Sequence, residues 1–473
     1  MNRRQFTELA AAAAAFPELT RAQTASAPLY REKYRPQFHF TAKKGWHNDP
    51  NGLVFYQGEY HLFFQHNPFD IKWGNMTWGH AVSPDLVHWT QLANAVEPDR
   101  MGTIFSGSAV VDWENTASFE KGPEKTLVAI YTAAGGTSPE SNGQPYTQCI
   151  AYSNDRGRTW TKYSGNPVVP HIVASNRDPK VVWHAPTRQW IMTLFLNQND
   201  YRFLASPDLK TWTKLHDITV PGCGECPDFF EIAVEGEPGV AKWVWTAANG
   251  HYLVGSFDGK RFTAETGPHR ADWGGNYYAV QSYSNVAEGR RVQISWMAGG
   301  KYPGMPFNQQ MSVPCEMTLR TTPQGLRIFR MPVAEIEKLR AKEHKLADLA
   351  LPPGENPLKD LQGELLDIRA EIELGQAEEV GFKLRGQEIV YKVKARQLTC
   401  LGRSAPMEPI DGRIRLAILL DRTSIEVFGN DGRVPMTTCF LPKADKSVEV
   451  FARGGAAKII SLAVYELKSA WRN

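Results

Sequence analysis

Ser83–Leu92 reads SPDLVHWTQL, and Ser206–Leu215 repeats seven of its ten residues as SPDLKTWTKL. Two looser copies are SNDRGRTWTKY at Ser153–Tyr163 and SFDGKRFTAE at Ser256–Glu265. Each copy contains a serine, a polar turn with an aspartate, an aromatic residue and a threonine, and each follows a short strand-like run. The repeated unit is therefore predicted to be a β-hairpin with a polar turn.

The spacing of the copies predicts the architecture. They begin 70, 53 and 50 residues apart, which is the period expected of four-stranded blades in a β-propeller. Residues 28–333 have room for about five such units, and short alternating or apolar runs dominate there, with almost no helical periodicity. A β-sandwich with accidental similarity is the alternative, and four copies argue against it.

The last third of the chain has a different pattern. Residues 331–349 are charged and helix-compatible and are followed by LPPGENP, so residues 334–352 are predicted to form a linker. Residues 353–473 alternate polar and apolar residues between Gly, Asn and Asp turns, which predicts a second all-β module, a β-sandwich. We find no acidic pair in a rigid turn there, so we expect a structural role, with an independent binding module as the alternative.

The first residues are set apart from the fold. Arg3 and Arg4 precede an alanine-rich run, and small residues surround Ala22 and Ala27. This arrangement resembles a bacterial twin-arginine export signal, with a disordered or helical tail as the alternative. We therefore expect residues 1–27 to direct export to the periplasm or the medium.

Composition excludes several classes of function. The 473 residues carry a net charge of +3, too small for a nucleic-acid or anionic-membrane partner. Six cysteines are too few for a disulfide scaffold, and Cys223 and Cys226 form a lone C-x-x-C with no second ligand pair nearby. The 14 tryptophans suit a core of short strands or a surface that stacks on sugar rings.

Three carboxylates occupy unusual local contexts. Asp49 lies in GWHNDPNG, where Pro50 and Gly52 are typical of a turn. Asp178 lies in NRDPK and Glu225 in GECPD, again beside a proline. Taken singly, each is most simply a turn or a strand end. Their spacing assigns them to different blades, and a propeller gathers the first strand of every blade around one axis.

Together these carboxylates suit cleavage of a glycosidic bond. That reaction passes through an oxocarbenium-like transition state and needs one carboxylic acid to protonate the leaving oxygen. A second carboxylate attacks the sugar or activates water. A third could hold sugar hydroxyls.

An ordered set of motifs carries a family resemblance. Five motifs occur in this order along the chain: Trp46–Gly52 (WHNDPNG), His61–Pro68 (HLFFQHNP), Phe105–Ser108 (FSGS), Arg177–Lys180 (RDPK) and the pair Glu225-Cys226. They resemble the sequence motifs of glycoside hydrolase family 32, the β-fructosidases. The resemblance extends over nearly all of residues 34–470. It implies a five-bladed β-propeller with the active site in its funnel, followed by a β-sandwich.

The resemblance also implies roles for the carboxylates. Asp49 would be the nucleophile, Glu225 the acid/base, with a pKa raised relative to that of Asp49, and Asp178 the transition-state stabiliser. Further residues would bind the fructosyl unit: Asn48, Gln65, Trp73, Phe105, Ser106, Arg177, Tyr278 and Trp296. No metal or organic cofactor is expected, because carboxylates do the covalent and proton-transfer work.

Three positions depart from the family pattern. Asn276, in DWGGNYYA, stands where the family has a carboxylate, and Gln309 and Cys315 stand where arginines are common. The resemblance therefore leaves the contribution of these positions to the sugar site and to leaving-group specificity open.

The expected activity is retaining, exo-acting release of terminal β-D-fructofuranosyl units from sucrose, inulin or levan. A fructosyltransferase that uses the same site and a non-catalytic fructan-binding protein are the alternatives. The sequence does not rank the three substrates or predict the oligomeric state.

Overall fold

The computed structural model describes residues 28–286 and 289–471. The predicted export signal, residues 1–27, lies outside the described residues. Within these ranges strands dominate, and short 3-10 segments lie at Pro139–Ser141, Ala185–Thr187 and Ala334–Leu339. None of the helices in the described ranges is long and apolar enough to cross a membrane.

The first two-thirds of the chain form five consecutive antiparallel sheets. Their strands are β1 Gly45–Tyr56, β2 Glu59–Asn67, β3 Thr77–Ser83, β4 Thr90–Gln91, β5 Thr103–Asp112, β6 Thr126–Ala134, β7 Tyr146–Ser153, β8 Thr161–Lys162, β9 Arg177–His184, β10 Gln189–Asn197, β11 Asp200–Ser206, β12 Thr213–Thr219, β13 Asp228–Ala233, β14 Ala241–Thr246, β15 His251–Phe257, β16 Phe262–Arg270, β17 Tyr278–Ser282, β18 Arg291–Trp296, β19 Phe307–Asn308, β20 Cys315–Thr322 and β21 Gly325–Pro332.

These sheets close into a ring. The first strands of successive sheets, β1, β5, β9, β13 and β17, each contact the next, and β17 contacts β1. The short strand β19 leaves the fifth sheet and pairs in parallel with β1, joining Gly45 to Phe307 and Trp46 to Asn308. The prediction of a five-bladed β-propeller is confirmed.

The repeated sequence segments form one repeated turn. Each connects the third and fourth strands of a blade, in the first four blades. The aspartate of each copy accepts backbone N–H groups two to four residues further on: Asp85, Asp155, Asp208 and Asp258. In three copies the tryptophan indole N–H donates to the carbonyl three residues earlier, at 3.1 Å. The serine, aspartate and tryptophan thus specify a turn, which is why they recur.

The C-terminal third is a two-sheet sandwich. One sheet has the strand order β22-β32-β23-β28-β29-β30 and the other β27-β26-β25-β24-β31. The bounds are β22 Arg340–Leu351, β23 Leu366–Glu373, β24 Glu379–Leu384, β25 Gln387–Lys392, β26 Gln397–Cys400, β27 Arg403–Pro406, β28 Arg413–Asp421, β29 Ser424–Gly429, β30 Val434–Cys439, β31 Val448–Arg453 and β32 Ala457–Leu467.

The linker prediction for residues 334–352 differs from this structure. Residues 340–351 form β22, which pairs with β32 along its length. Most of its side chains are exposed, because β22 is an edge strand of the sheet. Its charged, weakly alternating sequence therefore resembled a solvated linker.

Propeller and sandwich share a buried interface. Phe38, Val313 and Cys315 pack in one apolar cluster with Leu419 and Phe428 of the sandwich. Cys315 is thus an interface residue rather than a group in the sugar site. Asn276 is also an interface residue, since its amide donates to Ala298 O at 2.6 Å and its oxygen accepts from Cys439 N at 2.8 Å.

The two ends of the described chain meet at this interface. The ring of Tyr30 stacks on that of Trp471, with centroids 4.0 Å apart. The indole N–H of Trp471 donates to Pro36 O, and Ala470 N donates to Gln37 O, both at 2.8 Å. The amino-terminal segment is therefore held by residues near the end of the sandwich.

A buried ion-paired histidine joins the two modules. His39 Nδ1 lies 2.8 Å from Asp421 Oδ2, and Nε2 lies 2.7 Å from Glu426 Oε2. Burial alone would lower the pKa of His39, but these two hydrogen bonds raise it to about 9. His39 is therefore a cation at neutral pH, clamped between two sandwich carboxylates.

We expect this clamp to weaken in alkali. Because the folded pKa of His39 lies above the unfolded value of about 6.5, its contribution is complete below about pH 6.5 and is lost as the pH rises through about 9. The loss amounts to about 3 kcal/mol of unfolding free energy. The denaturation midpoint should be lower at pH 9.5 than at pH 6, and this decrease should be larger in the wild type than in His39→Gln. An equal decrease in both proteins would contradict the role of charged His39.

Candidate active site

Asp49 is presented by an irregular strand rather than by a turn. The octet predicted to be a turn lies in β1, whose pairing with β2 shifts register between His47 and Pro50 and again between Asn51 and Val54. Bulges of this kind re-aim side chains next to active sites. The turn-forming Pro and Gly therefore mark a bulge, and the turn prediction was wrong.

Hydrogen bonds fix the Asp49 carboxylate. Ser106 Oγ donates to Oδ2 at 2.6 Å, and Asn48 Nδ2 donates to Oδ1 at 2.9 Å. Asn48 is itself oriented by the indole N–H of Trp46, which donates to its Oδ1 at 2.7 Å. Trp46 thus positions the carboxylate through Asn48.

The other two carboxylates sit on left-handed backbone. Asp178, near the start of β9, has φ 64°, and Glu225, in the loop before β13, has φ 58°. Non-glycine residues in this region carry strain and cluster at functional sites. In the proline-flanked RDPK and GECPD motifs, Asp178 and Glu225 therefore adopt an unfavourable backbone conformation, and their carboxylates face the pocket at the propeller axis.

One pocket collects all of these groups. It has a volume of about 200 Å³ and lies where the inner strands begin, and it is lined by Asn48, Asp49, Gln65, Trp73, Phe105, Ser106, Arg177, Asp178, Glu225, Cys226, Tyr278 and Trp296. Every site residue predicted from the sequence lines this pocket. Sequence reasoning missed one member, Cys226.

Cys226 lies between two of the carboxylates. Its backbone N–H donates to Asp178 Oδ2 at 3.0 Å, and its Sγ lies 3.5 Å from that oxygen and 3.6 Å from Asp49 Oδ2. Burial and the three carboxylates raise the pKa of this thiol well above its ordinary value. Cys226 is therefore a neutral donor to Asp49 and Asp178. Its C-x-x-C partner Cys223 is a free cysteine in a separate apolar cluster. The sequence signal that could have placed Cys226 in the pocket was its position directly after Glu225.

Glu225 makes short contacts with two donors. Arg177 Nη2 donates to Oε1 and the Tyr278 hydroxyl donates to Oε2, each at 2.5 Å. Arg177 also lies 3.6 Å from Asp178 Oδ2. The guanidinium thus links the two carboxylates from blades three and four.

The pKa values differ from the expected order. Burial raises the pKa of Asp49 despite the hydrogen bonds from Ser106 and Asn48, and burial raises that of Asp178 to about 7. Burial also acts on Glu225, but Tyr278 and Arg177 outweigh it and lower its pKa. This order is the reverse of the expectation that Glu225 has the higher pKa of the catalytic pair, because the two donors to Glu225 stabilise its ionised form.

Gln309 supports the pocket from behind. Its Oε1 accepts the indole N–H of Trp296 at 3.0 Å, and it is buried. Gln309 therefore fixes the ring of a pocket residue without lining the pocket.

Comparison with known proteins agrees with this geometry. Residues 39–330 match the glycosyl hydrolases family 32 N-terminal domain, and residues 335–466 match the glycosyl hydrolases family 32 C terminal. The chain is 39% identical to a levanase of Bacillus subtilis (strain 168), over 95% of this chain and 73% of that protein. It is 31% identical to the extracellular exo-inulinase inuE of Aspergillus niger, over 93% and 96%.

A solved structure is similar over the whole fold. The exo-inulinase of Aspergillus awamori superposes with a TM-score of 0.84 at 29% identity, covering 93% of this chain and 100% of that one. Both modules and their order are therefore shared. The chain belongs to family 32 of the glycosyl hydrolases.

Proposed function

We propose that this glycoside hydrolase is a retaining, exo-acting β-fructosidase that releases terminal β-D-fructofuranosyl units from sucrose or fructans. The observation that carries the proposal is the convergence of Asp49, Asp178 and Glu225, from three blades, in one pocket of about 200 Å³. A pocket of this size suits one terminal sugar ring. Relatives named levanase and exo-inulinase support the substrate class.

In the first step Asp49 attacks the anomeric carbon of the bound fructosyl unit. The bond from this carbon to the glycosidic oxygen breaks, and a bond to the Asp49 carboxylate forms. Glu225 reacts in its protonated form, which is the minor form at neutral pH because Tyr278 and Arg177 lower its pKa. It gives its proton to the departing oxygen, so that the leaving sugar departs as an alcohol. Ser106 and Asn48 hold Asp49 in the attacking orientation.

In the second step water displaces the Asp49 carboxylate from the anomeric carbon. Glu225, now ionised, takes a proton from the water, whose oxygen bonds to the anomeric carbon while the bond to Asp49 breaks. Two displacements at one carbon retain the anomeric configuration. Asp49 and protonated Glu225 are both regenerated.

Asp178 and Arg177 hold the sugar. Asp178 is buried and faces the same cavity, so its carboxylate is placed to accept sugar hydroxyls and to stabilise the cationic transition state. Arg177 holds Glu225 and Asp178 together.

Product analysis tests the proposed activity. Incubation with sucrose, inulin and levan should release free fructose from the first minutes, and NMR should show the β-furanose anomer as the first product. Accumulation of fructan fragments before fructose would overturn exo action. Transfer products that dominate at dilute sucrose would favour the transferase, and binding of all three sugars without turnover would favour a binding protein.

Tyr278→Phe should move the alkaline limb of the pH–activity profile upward. The change removes the donor to Glu225 Oε2, so the pKa of Glu225 rises. Because Glu225 must be protonated for the first step, kcat/KM should persist to correspondingly higher pH. Tyr163→Phe, at a partly buried tyrosine outside the pocket, is the matched control, and an unchanged or lowered limb in Tyr278→Phe would contradict the assignment.

We also propose that residues 1–27 direct export. Arg3 and Arg4 precede an alanine-rich run, and similar proteins are named extracellular. Replacement of both arginines by lysine should retain active enzyme in the cytoplasm. Cell fractionation assays this, and unchanged export would contradict the proposal.

A further inference from the structure

A second cavity lies at the opposite mouth of the propeller. It has a volume of about 420 Å³, against about 200 Å³ for the active-site pocket. Its lining comes from the far ends of the inner strands and from adjoining segments of the second to fifth blades. A volume between about 300 and 1,000 Å³ is typical of ligand pockets.

The two cavities are separate. Asp178 lies near the start of β9 at the active site, and His184 ends the same strand at the second cavity, about 20 Å further along. Between them Lys180 Nζ lies 3.0 Å from Asp228 Oδ1 and donates to Ser282 O at 2.7 Å. This buried ion pair joins inner strands of the third, fourth and fifth blades, and the two cavities share no lining residue.

Tryptophans form the walls of the second cavity. Trp113 is 52% exposed, yet its indole N–H donates to Asn285 Oδ1 at 3.0 Å and its ring lies 6.0 Å from that of Tyr56. Trp183 and Trp190 pack with centroids 4.9 Å apart. An exposed indole held in place is a preorganised surface for the C–H face of a sugar ring.

Polar groups lie among these rings. The Glu231 side chain is exposed, and the backbone oxygen of Glu231 accepts from Arg291 Nη2 at 2.8 Å. Within the described residues, Arg291 Nε is buried with no hydrogen-bond partner. Asn285 and Glu114 also line the cavity. The Asn285 amide bonds to Trp113 and to Phe55 O, and Glu114 pairs with Arg188 through one carboxylate oxygen. The two carboxylates, Glu231 and Glu114, lie beside indole faces; carboxylate acceptors next to rings suit a neutral polyhydroxylated ligand and disfavour an anion.

We propose that this cavity is a second, non-catalytic carbohydrate site that binds a segment of a fructosyl oligosaccharide. Its occupant takes its chemical class from the proposed function. The site anchors polymeric substrate on the enzyme, whereas sucrose needs only the active-site pocket.

Calorimetric titration with a fructosyl trisaccharide, 1-kestose, tests the proposal. The probe protein is Asp49→Asn, which keeps the sugar intact. We expect two binding events per chain in this variant and one event when Trp113→Ala is added. A single event in both proteins, or two in both, would overturn the second site.

Kinetics of the otherwise unmodified enzyme supply an independent readout. Trp113→Ala should raise the half-saturating concentration of levan or inulin about tenfold and leave kcat/KM for sucrose unchanged. Ile410→Ala, at an exposed apolar residue of the sandwich, is the control and should change neither. Equal effects on sucrose and polymer would contradict the proposal.

A second variant covers the case in which Trp113→Ala fails to fold. Glu231→Arg alters only an exposed side chain and places a bulky cation at the cavity mouth, so it should abolish the second binding event too. If the wild type released no fructose from sucrose, inulin or levan, the proposed function would be refuted. Absence of the second binding event in an enzyme that does release fructose would refute only the second site, so the two failures are distinguishable.

Discussion

Replacement of Asp49 by asparagine is expected to lower turnover of sucrose and fructans by about 10³-fold or more, which corresponds to roughly 4 kcal/mol of activation free energy. An amide cannot form the ester with the anomeric carbon. Asparagine still accepts the hydrogen bond from Ser106, so the pocket should stay intact. Steady-state rates measured together with the thermal midpoint separate chemistry from folding.

Two further variants sharpen the Asp49 result. Asp49→Ala should be equally inactive and cannot regain a carboxylate by deamidation. Asp360→Asn, at an exposed carboxylate in the sandwich, should be fully active. A folded Asp49→Ala protein with more than about a tenth of wild-type activity would refute the nucleophile.

Replacement of Glu225 by glutamine is expected to cost about 10³-fold on sucrose and much less in the first step on p-nitrophenyl β-D-fructofuranoside. The nitrophenolate leaves without a proton, so the missing acid matters only for the alcohol leaving group of sucrose. The second step still lacks its base, so the fructosyl-enzyme should accumulate. A nitrophenolate burst followed by slow turnover is the diagnostic result.

Added azide gives a second readout for Glu225→Gln. Azide is an anionic nucleophile that needs no general base, so it should accelerate turnover of the nitrophenyl substrate and yield a β-fructosyl azide. Glu355→Gln, at an exposed glutamate, is the control and should show neither a burst nor an azide effect. Equal losses on sucrose and on the nitrophenyl substrate would exclude Glu225 as the acid.

The sequence predicted those features that local chemistry determines. The serine, aspartate and tryptophan of the repeat make hydrogen bonds within a few residues of each other. The turns of the blades could therefore be recognised from the repeated sequence. The pocket residues were found through the family motifs, since no local rule brings Asp49, Asp178 and Glu225 together.

Features that depend on distant contacts were not predictable. The bulge at Asp49 depends on pairing with β2, and the ionisation of Glu225 depends on Arg177 and Tyr278. Asn276 and Cys315 could be named as departures, but only the sandwich packed against them explains what they do. β22 lies at the edge of its sheet and exposes most of its side chains. Its sequence therefore lacks the alternation of polar and apolar residues that would have predicted a strand.

The contact between Tyr30 and Trp471 sets an order of events during biosynthesis. At about 5–20 residues per second, the ribosome needs roughly 20–90 s to synthesise the chain between these two rings. Throughout that interval the amino-terminal segment lacks the partner that covers it, and so does His39, whose carboxylates also come late. The enzyme therefore completes its fold only after translation is nearly finished, and nascent or prematurely terminated chains display an uncovered apolar segment for chaperones or proteases to recognise.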